Sequence, residues 1–445
     1  MFNFKLLGKA RVPHIKGTAS LHPIKMTPPK EVCLPIDQSI GAPSTPIVKV
    51  GDEVKVGQLI ATASGYVSAP IHASVSGKVV KIDTCLKSNG HPIPAIRIES
   101  DGLMTPCDDL KPCEITDLKS LLEAVGASGI VGLGGAGFPT AVKLAALESG
   151  KIHTVIINGA ECEPYITCDA RTMLDRAEDV YDGIQLIGKV CQSVEKYIIG
   201  IEANKPDCIK KMKETFAADE AVEIRSLPTL YPQGSEKVLI HNTTGLIVPE
   251  GKLPADVGVI VLNVTTLASI SKYVKTGMPL VERCITVDGD AIKEPKNVIA
   301  PLGTSIGDLI EFAGGCSKEP AKIIHGGPMT GHSIYTTDEP VVKTTGAVIA
   351  LSEEKSAEKK STECIHCGRC VDVCPHHLNP TAFCKTREIE NKDERMERLA
   401  ETRVNLCVEC GCCSFVCPAN RPLTENIRLA KKALREYNAH KASLK

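Results

Sequence analysis

The sequence predicts a multidomain α/β protein that ends in a helical, cysteine-rich unit, and three observations carry that prediction. Over residues 31–100, short alternating stretches are punctuated by Gly and Asp, as in GDEVKVGQLIATASGYVSAPIHASVSGKVVKI, which reads as a small β-rich unit. Over 101–275, apolar runs alternate with amphipathic segments, the layout of a largely parallel sheet covered by helices. Near the C-terminus, CIHCGRCVDVCP and CVECGCCSFVCP repeat one cysteine spacing. A chain of 445 residues is too long for one core, so several domains are expected. Its 52 basic and 53 acidic side chains give no electrostatic case for nucleic acid.

Residues 1–30 read as an N-terminal extension. MFNFKLLGKARVPHIKG has no apolar core followed by a small-residue cleavage site, so no signal peptide is expected. Apolar runs such as VGVIVLNV fall far short of the roughly 20 residues that a membrane-spanning helix needs. The chain is expected to be soluble by itself, or held to a membrane by partners. Over 31–100, GDEVKVGQ followed by APIHASVSGKVVKI resembles a biotinyl/lipoyl carrier domain, a β barrel-sandwich. Such a carrier presents a lysine on its central hairpin. Here that turn reads Ser64-Gly65-Tyr66-Val67, so the fold is expected without the carrier function.

Residues 101–279 form the expected α/β domain. DLKSLLEAVGASG places Leu118, Leu121, Leu122 and Val125 at helical spacing. Next comes Gly132-Leu133-Gly134-Gly135-Ala136-Gly137, which fits G-x-G-x-x-G. A Rossmann fingerprint follows a strand, and this loop follows a helix, so the usual reading fails its context. A phosphate or ring cradle stays open, as does a plain helix–helix connection. Phe138-Pro139 then opens a helix over TAVKLAALES whose first turn offers N–H groups to an anion. KIHTVIIN, EKYIIGIE, AVEIRSL and VGVIVLN read as strands, with helices over LDRAEDVYDGIQLIGKV and GSEKVLIHNTTG. Polar stretches at 158–164, 231–236 and 263–266 follow strands, and ligands in such sheets bind beyond the strands' carboxyl ends.

Over 280–350, ERCITVDGDAI, NVIAPLGTSIGDLIEFAGG and AKIIHGGPM give strand, turn, strand, helix and strand, which suggests a β-grasp (soluble-ligand-binding-like) unit. LSEEKSAEKKSTE over 351–363 is charged and reads as a linker. The unit 351–445 then holds C-x₂-C-x₂-C-x₃-C-P twice, the spacing of two-cluster ferredoxins. Three thiolates on one tight loop reach three irons of a cubane, and the fourth serves the other cluster. Cys364, Cys367, Cys370 and Cys417 are therefore assigned to one [4Fe–4S] centre, and Cys407, Cys410, Cys413 and Cys374 to the second. Zinc favours separated C-x₂-C pairs and fits the pattern poorly. Cys412 and Cys384 fall out of register and read as small buried hydrophobes, as do Cys162, Cys168, Cys191 and Cys284. His366, His376 and His377 stand beside ligands without being read as ligands. TENIRLAKKALREY is an amphipathic helix for packing or docking. Two such clusters move single electrons, so a nicotinamide site in the same chain would need a flavin between.

GLGGAGFPTAVK, NGAECEPY, YPQGSEK and NVTTLA, in that order, resemble the NADH- and FMN-binding flavoprotein subunit of respiratory complex I. With the carrier-like unit first and the double ferredoxin last, the chain is similar over nearly its whole length to the C-subunit family of Rnf-type complexes. The resemblance implies FMN and NAD(H) at one site, with Gly132, Gly134, Gly135 and Gly137 as its floor and Phe138 stacking on the nicotinamide cofactor. It implies that Lys143 and the helix start offset phosphate charge, that Asn158 bonds the isoalloxazine, and that Asn263 and Thr266 bond the FMN ribityl phosphate. Glu161 and Glu163 match acids that contact flavin or the NADH ribose, and Tyr231, Gly234 and Glu236 complete the wall. Ala160 and Ser235 depart from the pattern, and Asn158 and Asn263 can also serve only as caps. The implied function is that of a peripheral subunit on the cytoplasmic face of the membrane. It exchanges hydride between NAD(H) and FMN and passes electrons through two clusters to or from membrane subunits. Ferredoxin is reached indirectly through a partner, and ion transport is coupled to ferredoxin:NAD⁺ oxidoreduction. The alternatives are a soluble flavin/iron–sulfur reductase like cobalamin reductase, whose carrier-like unit lies toward the C-terminus, and a non-catalytic electron-transfer adaptor.

Overall fold

The computed structural model describes residues 8–86, 90–357 and 360–443. Residues 1–7 of the expected extension and 358–359 of the expected linker lie outside the described residues. All four apolar runs of the α/β region are strands: Thr154–Gly159, Lys196–Glu202, Val222–Leu227 and Val259–Asn263. They pair in parallel, with Thr154–Gly159 between Val259–Asn263 and Lys196–Glu202, and with Val222–Leu227 at the outer edge. Burial on both faces explains why they read as continuous Val/Ile runs rather than alternating ones. The helix Leu118–Ala127 starts on a capping box between Asp117 and Ser120 and buries Leu121 and Val125.

Residues 31–100 build two small antiparallel sheets, one with strands Glu31–Pro35, Pro92–Ser100, Gly77–Leu86 and Glu53–Val54 in that order, the other with three strands. The turn carrying Tyr66 projects into solvent, with Tyr66 itself 76% exposed. The β-grasp region pairs Glu282–Asp288 with Lys296–Pro301 and with Ala347–Leu351, and Lys322–His325 joins on the far side. Two findings go beyond the sequence reading. Ile24–Lys25 of the N-terminal extension adds a parallel edge strand against Val298–Ile299. One apolar core also runs without a break from Met26 to Ala350, so the barrel-sandwich, α/β and β-grasp regions share their interior. The cysteine-rich unit has a cluster of its own, built on Phe383, Leu399, Leu423, Ile427 and Leu434. Its last helix, Leu423–Ser443, is 21 residues long. Among the described residues no helix is long and apolar enough to cross a membrane.

Candidate functional site

The chain runs outward from Thr154–Gly159 to Val222–Leu227 and returns to the opposite side at Val259–Asn263. That reversal leaves a crevice beyond the carboxyl ends of two neighbouring strands. Asn158 and Asn263 are register partners there.

Four loops meet at this crevice. The glycine loop is pinched shut by a bridge between Val131 and Pro139 and by Gly132 N–H donating to the Phe138 carbonyl at 2.9 Å. Leu133 N–H donates to Thr266 Oγ1 at 2.9 Å, and Arg283, 4% exposed, donates to the Leu133 carbonyl at 2.9 Å. Gly134 lies against Asn263, where a Cβ would come within 2.3 Å of Nδ2. Gly135 is exposed, and a Cβ there would meet nothing within 4 Å. Gly137 takes a left-handed φ of 72° and backs onto Thr344 and residues 38–39. Phe138 is half-buried. Asn158 donates from Nδ2 to the Gly234 carbonyl at 2.9 Å and accepts from Ala160 N–H. Asn263 caps the helix Val264–Thr276 through Thr265 and Thr266 N–H, and its Nδ2 donates to Asp169 at 2.7 Å.

The 160–166 loop is clamped by two ammonium groups. Lys16 donates to the carbonyls of Glu161, Glu163 and Ile166 at 2.9, 2.8 and 2.6 Å. Lys205, paired with Glu202 at 3.0 Å, donates to the carbonyl of Ala160 at 2.7 Å. Glu161 turns inward and accepts from Asp169 N–H at 2.6 Å, at the start of the helix Cys168–Asp175. Burial pushes its carboxyl up to about 7, with Lys16 and Lys205 opposing the shift. Glu163 accepts from Met329 N–H and Thr330 Oγ1 of the β-grasp region, and burial raises its pKa as well. Burial pushes the Cys162 thiol up to about 12, as fits a small buried hydrophobe.

The other expected site residues have protein partners of their own. Lys143 spends its ammonium on Glu236 at 2.8 Å and on the Val261 carbonyl at 3.0 Å, so neither it nor Glu236 faces the crevice as a free charge. The expected helix after Pro139 is α-helical over Thr140–Leu144 and continues as a 3₁₀ helix over Ala145–Ser149, and Thr140 N–H at its start donates to the Ile130 carbonyl. Thr266 is 1% exposed and supports the loop from below. Tyr231 is 2% exposed and faces the cysteine-rich unit rather than forming a wall. Glu161 and Glu163 bond protein groups instead of lining the crevice. Gly134, Gly135, Phe138, Asn158, Gly234 and Asn263 remain around it.

The eight cysteines assigned to the clusters stand around two spaces. Cys364, Cys367, Cys370 and Cys417 line one cavity, and Cys374, Cys407, Cys410 and Cys413 line another, where Cys412 also stands in the wall. Among the described residues no three His, Cys, Asp or Glu converge on a single ion. Each quartet surrounds a space instead, and four thiols around a space are the donor set of a cubane. His376 lines the second cavity with Nε2 unpartnered, while His366 and His377 are exposed. Cys412 directs its thiol to the Tyr231 carbonyl at 3.9 Å, and Cys384 packs at the edge of the unit's core. Around the crevice, Gly135 is exposed with open space over its backbone, which leaves room for a flat ring system to approach the main chain.

Sequence reasoning missed Lys16, Lys205 and Arg283. The loop carbonyls they hold lie 44 to 150 residues away, and an isolated lysine or arginine carries no local signal for them.

Comparison with known proteins adds the following. Residues 5–103 match the RnfC barrel sandwich hybrid domain, 125–272 the Nuo51 FMN-binding domain, 284–332 the SLBB domain and 363–421 the 4Fe-4S dicluster domain. The chain is 46% identical over 363 residues to the C subunit of the proton-translocating ferredoxin:NAD(+) oxidoreductase complex of Clostridium ljungdahlii, covering 81% of this chain and 79% of the relative. It is 46% identical to the C subunit of the Na(+)-translocating complex of Acetobacterium woodii, covering 79% and 80%. To the C subunit of the ion-translocating oxidoreductase complex of Rhodobacter capsulatus it is 41% identical, covering 82% and 71%. Among solved structures, a chain of the NAD+-reducing [NiFe]-hydrogenase in its H2-reduced state superposes with a TM-score of 0.50 at 19% identity, a likeness of fold. The match covers 73% of this chain and 65% of that one, just under two thirds of the hydrogenase chain.

Proposed function

Because the chain belongs to the family of C subunits of Rnf-type ion-translocating ferredoxin:NAD⁺ oxidoreductase complexes, we propose that it is the peripheral NAD(H)-binding electron-transfer subunit of such a complex, at the cytoplasmic face of the membrane. When bound, FMN supplies the conversion between a hydride and single electrons, and the two [4Fe–4S] clusters supply one-electron exchange. The chain's residues bind and orient. Gly134 and Gly135 bring main chain to the ring system, with Phe138, Asn158, Gly234 and Asn263 around it. Thr266 and Arg283 hold the loop rigid from below, so the cradle is set before a ligand arrives. Cys364, Cys367, Cys370 and Cys417 hold one cluster, and Cys374, Cys407, Cys410 and Cys413 the other. Ion movement is assigned to partner subunits, as is contact with ferredoxin.

One observation carries this reading. The second cavity abuts the crevice loops, with Cys410 and Cys412 packed in one apolar cluster with Tyr231, Cys162 and Met329. A Cβ on Gly411 would meet the Met329 carbonyl at 2.5 Å. The 364–370 loop instead turns Ile365, 65% exposed, and Cys367 outward. Electrons thus have a short way from the crevice to the second cluster and then outward to a partner by the first. The test is anaerobic loading with iron, sulfide and FMN, followed by NADH. Cluster absorbance should bleach with NADH only when FMN is present. Bleaching by dithionite alone, with FMN bound, would leave the chain an electron-transfer adaptor.

A further inference from the structure

At one equivalent position the two cysteine motifs carry His366 in CIHC and Glu409 in CVEC, and both residues take a left-handed backbone with φ of 55° and 56°. His366 is exposed. Glu409 is held through both carboxylate oxygens. Lys431 Nζ lies 2.5 Å from Oε1, and Arg428 Nε lies 3.3 Å from Oε2. The two cations stand three residues apart on one face of the last helix. Lys431, 15% exposed, also donates to the carbonyl of Cys407 at 2.7 Å. Arg428 Nη2 donates to the Thr330 carbonyl at 3.1 Å, and Thr330 Oγ1 donates to Glu163. One polar chain therefore joins the second cysteine loop to the 160–166 loop. Around the first cavity, Arg421 bonds the Thr362 carbonyl, which belongs to no ligand.

We propose that Lys431, aligned by Glu409 and Arg428, is a positioning residue that sets the reduction potential of the cluster held by Cys374, Cys407, Cys410 and Cys413 apart from that of its neighbour. The proposal rests on the reading of those four thiols as ligands. The step it tunes adds one electron from the flavin side, with no bond made or broken and no proton moved. That electron adds a negative charge to a cavity whose cysteines are half-buried or buried. A cation on a ligand's own carbonyl favours the reduced state, and the nearby carboxylate opposes it.

The test is a redox titration of the fully loaded chain followed by electron paramagnetic resonance, with iron counted on the same samples. Lys431→Gln should lower one potential and leave the other, changing the reduced-to-oxidised ratio at fixed poise by on the order of tenfold, or about 59 mV for one electron. Glu409→Gln should raise the same potential, and Lys431→Arg should stay near the parent value. Repeating the titration in Cys364→Ser, which removes the other cluster, identifies the signal that moves. Unchanged potentials with full iron, equal movement of both, or shifts of one sign in the two neutral variants would overturn the proposal. If Lys431→Gln loads poorly, Glu409→Gln decides, since an unshifted potential with full iron overturns it and a rise supports it. Loss of iron in all three variants makes the network a scaffold and likewise overturns it. Failure of the unsubstituted chain to hold two clusters would instead refute the ligand reading.

Discussion

Adjacent glycines in one loop should respond to a side chain in opposite ways. At Gly134 an added Cβ would come within 2.3 Å of Asn263 Nδ2 and 2.8 Å of its Cγ, so the amide must move. Moving it undoes the cap on Val264–Thr276 and the bond to Asp169. A lost N-cap costs about 1 kcal/mol, and a lost bond to a carboxylate about 1.5–3 kcal/mol, so Gly134→Ala should destabilise the chain by about 2.5–4 kcal/mol. Gly135 meets nothing within 4 Å and its φ lies outside the left-handed region, so valine fits there without a ligand. Gly135→Val should leave stability within about 0.5 kcal/mol. It would crowd a bound ring system at about 1–3 kcal/mol, which weakens FMN binding roughly 5- to 150-fold. Denaturant unfolding without cofactor and quenching of FMN fluorescence on the same preparations separate the two effects. Unweakened FMN binding by Gly135→Val would refute the cradle, and equal destabilisation by both variants would refute the geometry at Gly134.

Cys407→Ser should lose about half the iron and Cys412→Ser none, because Cys412 points to Tyr231; iron analysis showing the reverse would put the register wrong. Intact-mass measurement should find no biotin or lipoate on the barrel-sandwich, since the exposed tip at Tyr66 carries no lysine; an adduct on Lys55 or Lys78 would overturn this. Burial pushes Glu161 from 4.5 up to about 7, so between those values the folded protein binds more protons than the unfolded chain and stability falls as pH rises. Glu161→Gln should flatten that fall in melts across the window, and an unaltered slope would show that the carboxyl titrates elsewhere.

What could be read from the sequence was what physics writes locally. A cubane takes three ligands from one tight loop, so the spacing of Cys364, Cys367 and Cys370 is complete in seven letters. Strands buried on both faces appear as unbroken Val/Ile runs, and VIVLN or KYIIGIE needs no partner to be recognised. The meeting of the four polar loops followed from parallel strands that all end on one edge. Lys143 shows where this reasoning stops. A lysine behind a glycine loop suits a phosphate, but only the fold brings Glu236, 93 residues later, within 2.8 Å of it. Glu161 and Glu163 likewise have partners that only the fold supplies, Asp169 N–H for the first and Met329 and Thr330 for the second.

The clamp on the 160–166 loop gives the N-terminal extension its physical sense. A Cβ on Gly8 would meet the Cys374 carbonyl at 2.6 Å, so the chain there lies against a ligand of the second cluster. Two residues on, Ala10 and Tyr231 exchange backbone bonds at 2.7 and 2.9 Å. Lys16 then gathers three carbonyls of the 160–166 loop, and Ile24–Lys25 ends as an edge strand of the β-grasp sheet. A single strap over residues 8–25 thus touches the cluster unit, both loops between cluster and crevice, and the sheet that supplies Met329 and Thr330. The cysteine-rich unit has a core of its own outside the continuous core of the rest, so its position depends on this strap and on the small buried cluster of Ala10, Val12, Tyr231, Val373 and Cys412 that the two sides share. Electron transfer demands a fixed separation between centres, and a strap that bonds to both sides of the gap, across one small shared cluster, holds that separation.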